Sequence, residues 1–143
     1  MSLYCFENAR TPEQLAEMKQ LEDAGTCIFC PDVLANHPRQ RILYATEHWN
    51  VTPNEWPYAG TSLHLLLVPR QHVTDMLELP PEARNDFWTA MSVIAEHHDL
   101  SHYGLGIRNG DCRYTRGTIR HLHAHVLVSS KEEDAPEVRM RFS

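Results

Sequence analysis

Long apolar runs are absent from this chain. The longest, LHLLLVP at residues 63–69, is strand-sized and far below the roughly 20 residues that a helical membrane span needs. Basic charge is also in deficit: 13 Lys and Arg face 19 Asp and Glu, and the formal net charge of −6 argues against a general nucleic-acid binder with its basic surface. The N-terminus has no basic region followed by an apolar one, so no signal peptide is expected and a reducing cytoplasm is the default compartment. Cysteine is scarce, four in all, and without a secretory leader a disulfide framework is not expected. Internal repeats, linkers and low-complexity tracts are missing, and 143 residues suit one hydrophobic core, so residues 1–143 read as a single domain.

What is present is the ordinary composition of a globular protein, 42% hydrophobic and 22% charged. Thr11-Pro12-Glu13-Gln14 is a helix start, with Thr11 as cap and Gln14 completing a capping box, while Gly25 is a stop. RILYAT and WNV read as short strands around Glu47-His48, and LHLLLVPR reads as a buried strand ending at Pro69. Thr74 to Leu79 has room for a helical turn or two. Pro81 to Leu100 carries an amphipathic stripe of Ala83, Phe87, Met91, Ile94 and Ala95. YGLGIRN reads as a strand, GDCRYTRGTI as a polar loop, HLHAHVLV as the last core strand and EVRMRFS as an edge strand. The order predicts an α+β fold, with an antiparallel sheet covered by helices.

Two short motifs concentrate the chemistry. In RHLHAHVLVSS, His121, His123 and His125 alternate with Leu122 and Ala124. On a strand they share one face, with neighbours about 6.6 Å apart and the outer pair about 13 Å apart. With zinc–nitrogen bonds of about 2 Å, two neighbours could share a metal but three could not. In CIFC, Cys27 and Cys30 place two sulfurs for one metal or one redox couple. No second Cys-x-x-Cys exists, so a closed tetrahedral site would need histidines as its other ligands; unmetallated thiols and redox chemistry are the alternatives. His64 and His72 bracket the buried strand. Arg108, Arg113, Arg116 and Arg120 face a single Asp111, a local basic patch of the kind that binds phosphate. Gly110 and Gly117 let the backbone approach an anion there, and Thr118 adds a hydroxyl.

HLHAHVL, together with CIFC, NEWPYAGTSLHLLLVPRQH and the upstream Asn109-Gly110, resembles the signature of the histidine triad (HIT) superfamily of nucleotide hydrolases and transferases. The match runs from about residue 27 to about residue 128, and the segments on either side add little to it. The resemblance implies a HIT-like fold: about five antiparallel strands, one long helix and shorter helices packed on them. It also implies that His123 attacks the α-phosphate of a nucleotide. A covalent nucleotidyl-histidine would form, and water would then release the nucleoside monophosphate. His125 would contact the phosphate or protonate the leaving atom, and His64 would share the proton traffic. Asn109 and Thr118 match positions that hold phosphate oxygens, and Asn54 lies where the ribose pocket is built.

Zinc-bearing relatives map a structural Zn2+ site onto Cys27, Cys30, His72 and His121, with no organic cofactor. The substrate classes implied are nucleoside phosphoramidates, adenylates and dinucleoside polyphosphates. The third histidine, present here, is glutamine in the uridylyltransferases, which favours hydrolysis. Arg116-Gly117-Thr118 stands where the phosphoramidase branch has Gly-Gln-Ser, and the Trp-bearing C-terminus of that branch is missing. NEWPYAGTSLH looks more like the dinucleoside polyphosphate branch. The resemblance further implies a homodimer with no membrane or nucleic-acid partner. Two other readings stay open: a non-catalytic nucleotide sensor, and a metal-dependent hydrolase using His121 and His123 at an open site.

Overall fold

A computed structural model describes residues 2–142; Met1 and Ser143, the two ends of the expected domain, lie outside the described residues. The central element is a five-stranded sheet in the order β1-β2-β3-β5-β4, antiparallel throughout. Its strands are β1 (Tyr44–Ala45), β2 (Trp49–Pro53), β3 (Thr61–Pro69), β4 (Gly104–Ile107) and β5 (Ala124–Ser129). The helices are α1 (Pro12–Asp23), α2 (Pro31–Ala35), α3 (Pro81–His98) and α4 (Cys112–Thr115).

Alternation along the strands sorts side chains to two faces. Leu65 and Leu67 of β3, with Leu122, Ala124 and Val126, pack on the α3 side against Phe87, Met91 and Ile94. Leu66 and Val68 point the other way, into a second core of Tyr4, Met18, Ile28, Phe29 and Leu34 supplied by the N-terminal layer. The sheet is therefore a middle layer. The indole N–H of Trp49 donates to the carbonyl of Ala83 at 2.7 Å, which joins β2 to the first turn of α3.

The helix termini follow their sequence signals. Thr11 accepts from the Gln14 backbone N–H at 3.0 Å, and the Gln14 side chain accepts from Arg10, one residue before the cap. Gly25 takes φ +66° just past the helix end. The turn expected over Thr74 to Leu79 is a 3-10 turn, Met76–Glu78, capped by Asp75.

Four expectations are corrected. The polar loop before the histidines contains a helical turn, α4, because Asp111 caps it by accepting from Arg113 N–H at 2.9 Å. The last strand begins at Ala124, so His121 and His123 precede it in an extended lead-in. The tail 137–142 is not a strand; it crosses the rim of a cavity, and its final residue lies outside the described range. Lastly, Cys5 and Cys112 form a disulfide across 107 residues. It is possible because the N-terminal segment folds back: Tyr4 bridges Ile119, and Cys5 N–H donates to the carbonyl of Thr118 at 2.9 Å.

Candidate functional site

His64 of β3 and His125 of β5 lie one diagonal step apart on the N-terminal face, since Leu66 is the register partner of His125. His64 Nδ1 accepts from the backbone N–H of Tyr58 at 3.0 Å, which leaves the proton on Nε2. That Nε2–H donates to His125 Nδ1 at 2.8 Å. His125 in turn carries its proton on Nε2, which points toward the Arg108 guanidinium 3.3 Å away. The Asn54 side-chain nitrogen lies 3.1 Å from His64 Nε2, and its oxygen accepts from Trp56 N–H at 2.9 Å.

His123 sits beside this pair, its ring 5.1 Å from that of His125. Its Nδ1–H donates to the carbonyl of His121 at 2.8 Å, so the Nε2 lone pair is free. Phe29 packs edge-on against it at 4.9 Å. Burial lowers the pKa of both: that of His123 falls to about 4, helped by Arg108, and that of His64 to about 3, helped by Arg10, His123 and Arg108. His125 is held well below its ordinary value by burial and then by His123, His64, Arg108 and Arg10. All three imidazoles are neutral near pH 7.

His123 and His125 open onto a cavity of about 340 Å3. Its walls include apolar side chains of α1 and CIFC, among them Met18, Ile28 and Phe29, and the polar side chains of Asn54, Thr118 and Arg116. Of the expected substrate-binding residues, Asn54 and Thr118 line this cavity. Asn109 does not: its side-chain oxygen accepts from Met76 N–H at 2.7 Å, and Arg108 lines the cavity instead. Of the basic patch, Arg113 pairs with Asp111 at 2.6 Å outside the cavity, while Arg108 and Arg116 border it.

Several lining residues escaped the sequence reading. Asn8, Arg10 and Gln14 come from the N-terminal layer, and Glu137, Arg139 and Arg141 from the tail. Tyr58 stacks on His125 at 5.4 Å and its hydroxyl accepts a hydrogen bond from Arg108 Nη1, while Arg10 lies over the Tyr58 ring at 4.8 Å. No local spacing marks these residues, because their side chains meet only through long-range folding.

His121 does not line the cavity, although Phe29 touches both it and His123. The His121 Nε2–H donates to the carbonyl of Pro69 at 2.7 Å, which directs Nδ1 toward Cys27 Sγ at 3.4 Å, Cys30 Sγ at 3.7 Å and His72 Nδ1 at 3.1 Å. Cys30 Sγ also lies 3.3 Å from His72 Nδ1, and all four donors fall within 4.8 Å of one another. A tetrahedral ion with bonds of about 2.3 Å to sulfur and about 2.0 Å to nitrogen needs S···N edges near 3.5 Å and an N···N edge near 3.3 Å. The cluster fits that geometry, and it brings the four expected metal residues together. The Pro69 carbonyl behind His121 is the outer partner that orients a ligating imidazole. Without a cation, burial pushes the Cys27 thiol up to about 12, and a thiolate at this position would need a bound metal ion.

A second acidic group, Glu17 and Glu55 around His37, is not built alike. His37 Nδ1 accepts from the backbone N–H of Gln40 at 2.7 Å, so its Nε2–H is turned toward the carboxylates as a donor rather than as a ligand.

Comparison with known proteins agrees with this geometry. An uncharacterized HIT-like protein of Mycobacterium tuberculosis is 29% identical over 107 residues, covering 71% of this chain and 69% of that protein. Among solved structures, a zinc-bound histidine triad family protein from Mycobacterium smegmatis superposes with a TM-score of 0.59 at 21% identity, covering 81% of this chain and 84% of that one. A HIT family hydrolase from Clostridium thermocellum gives 0.59 at 22%, covering 79% and 96%. The HIT domain profile itself matches residues 38–132, well over half of the sequence, and the chain belongs to the HIT domain family.

Proposed function

We propose that the protein is a nucleotide hydrolase or nucleotidyl transferase acting at an α-phosphate through a covalent intermediate on His123. The observation that carries this reading is the free Nε2 of a neutral, buried His123, oriented by the His121 carbonyl and facing the same cavity as the His125–His64 pair. The histidine triad family and the name of the Clostridium thermocellum relative support the class.

In the first step His123 Nε2 forms a bond to phosphorus and the bond from phosphorus to the leaving group breaks. His125 Nε2–H hydrogen-bonds or protonates the departing atom, and His64 holds His125 in the tautomer that makes this possible. In the second step water adds to phosphorus and gives its proton to His125 Nε2, the P–N bond breaks, the lone pair returns to His123 Nε2 and the nucleoside monophosphate departs. Thr118 and Arg116 border the phosphate region, Asn54 the ribose region, and Ile28, Phe29 and Met18 the apolar base region.

Cys27, Cys30, His72 and His121 hold a structural Zn2+ in this reading. Such an ion supplies rigidity, since a four-donor site leaves no position for substrate. The same closure weighs against a metal-dependent hydrolase that uses His121 and His123 together. Exposed Tyr103, just before the edge strand β4, and Leu105 on it support pairing of two copies into a homodimer. Among the described residues no helix is long and apolar enough to cross a membrane, and a cytoplasmic setting goes with nucleotide substrates.

The test is turnover of an adenosine phosphoramidate, an adenylate and a diadenosine polyphosphate, with intact-mass detection of a nucleotidyl adduct. Monophosphate release and the adduct should both depend on His123. Binding of the monophosphate with no turnover on any of the three would instead establish a non-catalytic sensor.

A further inference from the structure

The C-terminal tail has a two-residue rhythm. Pro136, Val138 and Met140 pack on the rim: a Cβ at Gly60 would collide with the Pro136 carbonyl and crowd Val138, and one at Gly106 would collide with the Met140 sulfur. The intervening residues Glu137, Arg139 and Arg141 line the cavity. The tail thus behaves as an extended strap whose alternate side chains face in opposite directions. Two anchors hold its end. The Arg141 carbonyl accepts from Arg108 Nη2 at 2.8 Å, and the Phe142 ring lies under the same guanidinium at 5.4 Å.

This strap reaches His125 through one side chain, Arg108, whose Nη1 lies 3.3 Å from His125 Nε2. Both of these atoms are donors, and two donors that converge without an acceptor between them define a place for an anionic oxygen. Arg10 adds a further cation, over the same Tyr58 ring that Arg108 meets. No ion pair among the described residues joins Arg10, Arg108 or Arg141 to a carboxylate; Arg139 has only an exposed contact with Glu137, 3.3 Å away. In a chain of net charge −6, cavity-lining arginines outnumber cavity-lining glutamates by five to three.

We propose that Arg139 and Arg141 of the strap, with Arg108 and Arg10, form an anion subsite for the leaving group, and that this leaving group is a condensed phosphate. The inference rests on the proposed attack by His123 and adds what departs. When His123 Nε2 bonds to the α-phosphorus, the bond from that phosphorus to the bridging oxygen breaks. The electron pair goes to that oxygen, and the β-phosphate departs as an anion held by arginine donors. A neutral amine leaving group would use none of these charges.

The experiment measures kcat/KM on diadenosine triphosphate and on adenosine phosphoramidate, for the full chain and for an Arg139→Gln/Arg141→Gln variant. The expected result is that the ratio of the two values, condensed phosphate over phosphoramidate, falls at least about tenfold, with the largest part in KM. An Arg139→Lys/Arg141→Lys variant should recover part of it, which a purely structural role of the tail would not produce. Equal loss on both substrates, or no loss, overturns the subsite. Inorganic tripolyphosphate binding, measured by calorimetry, separates this inference from the reaction. If the wild type binds it and the Gln variant binds it at least about tenfold less, the subsite stands even if no substrate turns over. If the wild type does not bind tripolyphosphate, the subsite fails even if His123 forms its adduct.

Discussion

His123 donates its Nδ1–H to the carbonyl of His121, 2.8 Å away, and so a residue of the Cys/His cluster orients the residue proposed as nucleophile. The same peptide stretch sends His121 to the sulfur cluster and His123 to the cavity. A His123→Ala protein should keep its fold and its affinity for a nucleoside monophosphate within a fewfold. Turnover should drop at least about a thousandfold with loss of the adduct, because no other group here offers a free imidazole nitrogen to phosphorus. Stopped-flow assay and intact mass read this, and an adduct persisting in the variant would falsify the assignment.

The His125–His64 pair predicts a different signature. Removing His125 deletes the donor to the leaving atom but leaves the nucleophile, so His125→Asn should lose between about 10²- and 10⁴-fold in kcat. The loss should be smaller on substrates whose leaving group is already acidic. His64→Asn should follow the same substrate trend with a smaller effect, since it acts through His125 Nδ1. A flat loss across leaving groups would contradict the proton-donor role.

Metal should matter to stability and not to the chemical step. Wild type is expected to hold one zinc per chain, and Cys27→Ser or Cys30→Ser to lose it. Metal removal should lower unfolding stability by several kcal/mol, because donors 3.1 to 3.7 Å apart, with Cys27 and His121 buried among them, are left without a cation. Below the lowered Tm, adduct formation should continue. Elemental analysis and thermal melts decide. Instant loss of turnover on chelation, with the melting curve unchanged, would mean that the metal takes part in catalysis.

The HLHAH alternation made the division of faces legible before any coordinates, since Leu122 and Ala124 had to enter a core if the histidines did not. The Cys27–Cys30 pair was equally legible, because both sulfurs come from one short segment. Residue 109 shows where local reading stops. Ile107 packs on the α3 side, so alternation turns Arg108 toward the cavity and Asn109 back toward Met76. Matching a motif by its neighbours misses this one-residue parity. Arg10 and Tyr58 have no signal in local spacing, and the alternation of the tail suggests a strand without showing the cavity it meets, for these roles arise from contacts across 17 to 50 residues or more.

The disulfide carries a separate prediction. Cys5–Cys112 ties the segment that bears Asn8 and Arg10 to α4, and Asn8 Nδ2 adds hydrogen bonds to the carbonyls of Cys112 and Gly117, at 2.9 and 2.7 Å. A cross-link closing so long a loop stabilises mainly by restricting the unfolded chain, by about 2–4 kcal/mol. Cys5→Ser should therefore lower stability by that amount and quicken amide exchange in the first ten residues. Both sulfurs are buried, so reduction of the wild type should be slow until the fold opens. Rapid reduction of the native protein by mild thiol, or a Cys5→Ser variant as stable as wild type, would remove the clamp from the account.

Acid should destabilise the fold through His64 and His125. Burial, and then the positive charge of Arg10 and Arg108 and the neighbouring His123, keep His64 neutral down to about pH 3. The unfolded chain takes up the proton near pH 6.5. Between these values the unfolded state binds more protons, so stability is fully present above about pH 6.5 and is lost as the pH falls. A single such histidine accounts for on the order of 1–2 kcal/mol between pH 7 and pH 5. Urea unfolding at the two pH values should show the wild type losing stability, and His64→Asn losing less by about that amount. Because every other acid-dependent contribution away from this pair is common to both proteins, the difference between the two slopes reports on His64. Parallel slopes would mean that His64 takes up its proton over the same pH range folded and unfolded, and that burial does not hold it neutral.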